Sequence, residues 1–87
     1  MTTPIRTAKA LEWALKEGLD NSQVCICLNE VDPTFTYGTQ NISKDVPPHV
    51  AIYFPPSETD FLPVTPDHVG YVYDNNELIH IIFFYDL

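Results

Sequence analysis

Five side chains in this 87-residue chain are thiols or imidazoles, which can pair as nucleophile and base or bind a soft metal: Cys25, Cys27, His49, His68 and His80. The two thiols stand two residues apart in what reads as a strand, on one side of it. A bridge between such near neighbours is strained. A tetrahedral metal site needs two further ligands, and the three histidines are scattered without a ligand pattern. Either thiol can be drawn beside a histidine as a Cys–His pair, but thiols at the centre of a strand are usually inert. His49 precedes a strand, and His80 sits among apolar neighbours, where a tyrosine or backbone group commonly satisfies an imidazole. Both cysteines are therefore expected to be reduced, with no metal and no cofactor.

Other chemistry finds little support. Asp74 and Glu77 flank a turn and can share a proton only at low pH. Three glycines, Gly18, Gly38 and Gly70, build no phosphate loop. With neither a nucleophile beside a base nor a metal site, the expectation is a protein that is not an enzyme.

The charge is more informative. Seven carboxylates (Asp45, Glu58, Asp60, Asp67, Asp74, Glu77, Asp86) follow the last basic residue, Lys44. The first 44 residues carry about −1 and the remainder −7, within a total of −8. Such a field repels nucleic acid and anionic membrane and attracts basic protein surfaces. Arg6, Lys9 and Lys16 share a helical face with Trp13, an arrangement that can stack on a nucleic-acid strand. Four bases against twelve acids still weigh against nucleic-acid binding.

The length fits one domain, residues 1–87, and the apolar fraction of 45% with 13% aromatics is enough for a packed core. No apolar run reaches the roughly 18 residues of a membrane span. The N-terminal Met-Thr-Thr-Pro-Ile-Arg lacks the pattern of a signal peptide, so a cytoplasmic protein is expected. Asn41-Ile42-Ser43 matches a glycosylation acceptor, without meaning in that compartment.

The elements follow from pattern. Thr3 suits an N-cap, Pro4 the first helical position, and Gly18 a left-handed C-cap. Ile5, Ala8, Leu11, Leu15 and Leu19 fall in one stripe that reads as the core side, with Trp13 opposite. Val24–Val31 alternates as a strand. Thr34–Thr39 is a weaker strand, and Asn41–Pro48 is a polar loop. His49–Phe54 is a short strand ended by Pro55-Pro56. Residues 55–68 hold four prolines and three acids, a stiff connection that also carries Phe61, Leu62 and Val64.

The C-terminus reads as a hairpin. Val69–Asp74 and Glu77–Tyr85 flank Asn75-Asn76, which suits a two-residue turn with positive φ at both positions. A regular register pairs Tyr73 with Leu78, Tyr71 with His80 and Val69 with Ile82. Val72, Ile79, Ile81 and Phe83 then share the face expected to pack on the helix. The expected fold is α+β: one N-terminal helix on a four- or five-stranded, mainly antiparallel sheet ending in this hairpin.

One short helix cannot cover both faces of such a sheet. Tyrosines left exposed beside acids form a common kind of protein-binding surface, against the alternative that Tyr71 and Tyr73 are half-buried core. The expected contact set is Glu58, Asp60, Phe61, Tyr71, Tyr73, Asp74 and Glu77. The partner is a protein with a basic surface, such as a nuclease, repair enzyme or CRISPR effector. In size, charge and class alone the chain is similar to phage-encoded inhibitors of such enzymes and to immunity proteins of nuclease toxins. The alternative is a non-catalytic regulatory or assembly subunit that oligomerises through an apolar sheet face. Either a monomer or a homodimer fits the composition.

Overall fold

The computed structural model describes residues 3–29, 37–57 and 64–87. They form one helix, α1 (Ile5–Glu17), and five strands: β1 (Val24–Leu28), β2 (Gly38–Asn41), β3 (His49–Phe54), β4 (His68–Asp74) and β5 (Glu77–Asp86). The strands make a single sheet in the order β2-β1-β3-β5-β4. Three neighbouring pairs are antiparallel, and β1 and β2 run parallel, so the α+β sheet is mixed.

Helix α1 begins one residue later than the sequence suggests. Pro4 is its cap residue and accepts from the Ala8 N–H, and no side chain among the described residues caps it. Gly18 ends it at φ 77°. The Leu19 N–H donates to the Ala14 carbonyl and the Gly18 N–H to Leu15, the double bond of a Schellman end.

The helix presents a different stripe from the expected one. Thr7, Ala10 and Ala14 are fully buried, whereas Ile5 and Leu15 are 76% and 57% exposed. Small side chains let the helix backbone approach the sheet closely, and that contact outweighs the larger apolar residues on the flanks. Trp13 is half-buried rather than turned away from the sheet, and its indole meets the Phe54 ring at 5.9 Å.

Residues directly opposite in antiparallel strands share a face. Val24 and Ile26 of β1 lie across from Ile52 and Val50 of β3, which lie across from Phe83 and Tyr85 of β5. These residues form the face under the helix. Val24, Ile26, Val50, Ile52 and Tyr85 have no exposed surface, and Phe54 very little. Phe83, Leu11 and Trp13 pack around them.

The hairpin turn is as expected, with Asn75 at φ 50° and Asn76 at φ 65°. The register beyond it is not. Tyr73 pairs with Leu78, but Val72 pairs with His80, so Ile79 is an extra residue on β5. This bulge shifts Tyr71 opposite Ile81 and Val69 opposite Phe83. Val72 therefore lies on the face away from the helix, with His80, instead of beside Ile81 and Phe83.

Candidate functional site

The helix is about 10 Å across, and strands repeat at about 4.8 Å, so one helix covers two to three strands. Its buried residues pack with the core residues of β1, β3 and β5, and its nearest backbone approach is to β5. Strand β4, at the sheet edge, lies beyond it, and none of its residues is buried.

The row Val69, Tyr71 and Tyr73 stands on the same face as the core but outside the helix's cover. Tyr71 is 58% exposed and Tyr73 63%. Val69 and Ile79 are also exposed. The turn adds charge at the end of this row, where Asp74 pairs with Glu77. The hairpin thus brings together four of the seven residues expected to contact a partner: Tyr71, Tyr73, Asp74 and Glu77. Their exposure decides against half-buried core. Glu58, Asp60 and Phe61 lie outside the described residues.

The tyrosines were expected to share a face with His80, opposite the helix. The bulge at Ile79 changes that arrangement. His80 is on the far face, where its ring meets Tyr53 edge-on at 6.2 Å.

That far face also gathers residues that sequence spacing keeps apart. His49 lies opposite Asp86, and His68 opposite Phe84. Together with Val46 and Pro47 they line a pocket of about 280 Å³. The His68 Nε2 is 3.9 Å from an Asp86 carboxylate oxygen. His49 is held by its Nδ1, 3.0 Å from the Pro47 carbonyl, and by an edge contact with Phe84. The side of each strand on which these groups fall was readable from alternation. Their meeting depends on register, which the sequence did not disclose.

The thiols are also on the far face, with Sγ atoms 3.7 Å apart, both free. Cys27 is buried, and its thiol is pushed up to about 12, first by burial and then by the charge of Cys25. A thiol that resists ionisation is a poor nucleophile. Cys27 pairs across the strand with His49, yet that ring turns to Phe84 and Pro47. Among the described residues, no three His, Cys, Asp or Glu side chains are arranged to hold a metal ion. None of the described helices is long and apolar enough to cross a membrane.

The basic face of the helix is partly engaged within the fold. Arg6 forms an ion pair with Asp67 at 2.5 Å, and the other Asp67 oxygen accepts the Asp86 N–H at 2.9 Å. Trp13 packs against Phe54, so both Arg6 and Trp13 make contacts within the fold.

Comparison with protein-family models, curated proteins and solved structures gives no match to this chain.

Proposed function

We propose that this chain is a small acidic binding protein, not an enzyme, that occupies a basic surface on another protein. The observation that carries this reading is the exposed pair Tyr71 and Tyr73, ending at Asp74 and Glu77 on a tight turn. Aromatic side chains bury much area for little lost entropy and make good anchors, and surrounding acids speed encounter with a positive surface. The total charge of −8 extends that attraction beyond the contact. Nucleic-acid-handling enzymes, whose substrate grooves are basic, are the natural targets: nucleases, repair enzymes or CRISPR effectors. A cytoplasmic inhibitor encoded by a phage or mobile element, or an immunity protein, fits this role. Glu58, Asp60 and Phe61 extend the proposed contact set on grounds of charge and residue type.

The test begins with capture of partners at low and high salt. Against the partner recovered, Asp74→Lys with Glu77→Lys should lower the association rate roughly tenfold or more at low salt. Tyr71→Ala and Tyr73→Ala should instead speed dissociation. Association that neither charge nor salt alters would remove the electrostatic reading and favour the oligomeric subunit.

A further inference from the structure

We infer that two copies of this chain pair edge to edge through β4, in antiparallel register centred on Tyr71, to form one continuous sheet. This differs from association through a sheet face, and it does not depend on the docking reading above.

An edge strand offers unpaired N–H and C=O groups, and proteins normally protect such an edge with lysine, proline, extreme shortness or a cover. Strand β4 has seven residues, His-Val-Gly-Tyr-Val-Tyr-Asp, with neither lysine nor proline. Among the described residues its one strand neighbour is β5. The bulge that interrupts the hairpin places its extra residue, Ile79, on β5, so β4 itself keeps a regular alternation.

The strand is also complementary to itself. A two-fold axis perpendicular to the sheet keeps each face on its own side, so a residue must meet one of the same parity. Only a centre at Tyr71 brings all seven residues into the pairing. Tyr71 then faces its own counterpart, and Val69 faces the second copy's Tyr73, all exposed apolar or aromatic side chains on one face. On the other face His68 meets the second copy's Asp74, both exposed, and an imidazole can donate to that carboxylate. Gly70 meets Val72, where the space above the glycine is already filled by its own chain's Phe84 ring. No pair in this register sets like charges against each other. The axis also brings two copies of the tyrosine row side by side on one face.

A single strand pair buries little area, below about 1,200 Å², so the association is expected to be weak and concentration-dependent. Sedimentation equilibrium on the isolated full chain should show a monomer passing to a dimer as concentration rises. His68→Asp sets two carboxylate pairs against each other and should weaken the dimer at least tenfold. Adding Asp74→Lys in the same chain should restore it. His68 is exposed at the surface, and thermal melts of each variant check that the fold is kept. As a second measurement, Tyr71→Cys in a Cys25→Ser, Cys27→Ala background should oxidise to a disulfide-linked dimer through the axis. A wild-type chain that remains monomeric at the highest soluble concentration would overturn the inference. So would a dimer insensitive to His68→Asp that Tyr71→Cys does not cross-link. Neither result bears on a basic partner, because the assays contain this chain alone.

Discussion

The Thr7 hydroxyl, fully buried, donates to the Asp86 carbonyl, joining the first turn of the helix to the end of the last strand across 79 residues of sequence. Two neighbouring contacts strengthen the join. Arg6 reaches Asp67, and Asp67 accepts the Asp86 N–H. The helix is thus tied to the strand that runs between the covered core and the open hairpin. Thr7→Val keeps the shape and removes the donor, leaving the carbonyl without this partner. It should destabilise by about 1–2 kcal/mol, and on a domain of this size that lowers Tm by several degrees. An unchanged melting curve would show that the contact contributes nothing.

Two buried tyrosines give a matched comparison. The Tyr85 hydroxyl donates to the Val64 carbonyl at 2.9 Å, whereas the Tyr37 hydroxyl is buried with no hydrogen-bond partner among the described residues. Burial raises both phenols, Tyr85 to about 12, with the Asp67 carboxylate adding to the burial. Tyr85→Phe should therefore cost about 1 kcal/mol, while Tyr37→Phe should be neutral or stabilising. Denaturant titrations of the two variants decide the matter. Equal losses would mean that the two hydroxyls have equivalent partners.

The difference between reading and structure lies in particular residues. Gly18, Asn75-Asn76 and the apolar alternation of His49–Phe54 act locally, through backbone conformation and period, and the sequence reports such signals directly. The helix stripe was misread because large side chains dominate a hydrophobic pattern. Here the close contact belongs to Thr7, Ala10 and Ala14. The bulge at Ile79 has no sequence signature in this chain, yet it decides which residues face the core beyond Tyr73. For the candidate site, Tyr71, Tyr73, Asp74 and Glu77 were legible because they adjoin a recognisable turn. The approach of His49, His68 and Asp86 was not, because it arises from three strands in a register fixed by the whole sheet.

Acid should act through Asp67. Its carboxyl is held below the usual value first by the Asp86 N–H and then by the Arg6 guanidinium. A depressed folded-state value means that the contribution to stability is fully present above the unfolded value, near 3.9. It is lost as pH falls through the lower, folded value. Wild type should therefore lose Tm more steeply below about pH 4 than Asp67→Asn, which cannot titrate there. General relief of negative charge on acidification affects both proteins, so the difference between their curves isolates this group. Parallel curves would remove Asp67 from the acid response.

The two thiols should react in sequence. Cys25 is half-buried and Cys27 is 5% exposed, with its thiol raised to about 12. Near pH 8 a thiol of that kind is scarcely ionised, and alkylation proceeds through the thiolate. Iodoacetamide on the folded protein should therefore modify Cys25 first. Cys27 should follow only when denaturant opens the sheet, and peptide mapping by mass spectrometry distinguishes the two sites. Modification of Cys25 removes a charge that helps to raise Cys27, but burial is the larger cause, so the second site should remain slow. Equal rates in the folded state would show that β1 opens readily on its far face, and that the cover over Cys27 is weaker than its burial indicates.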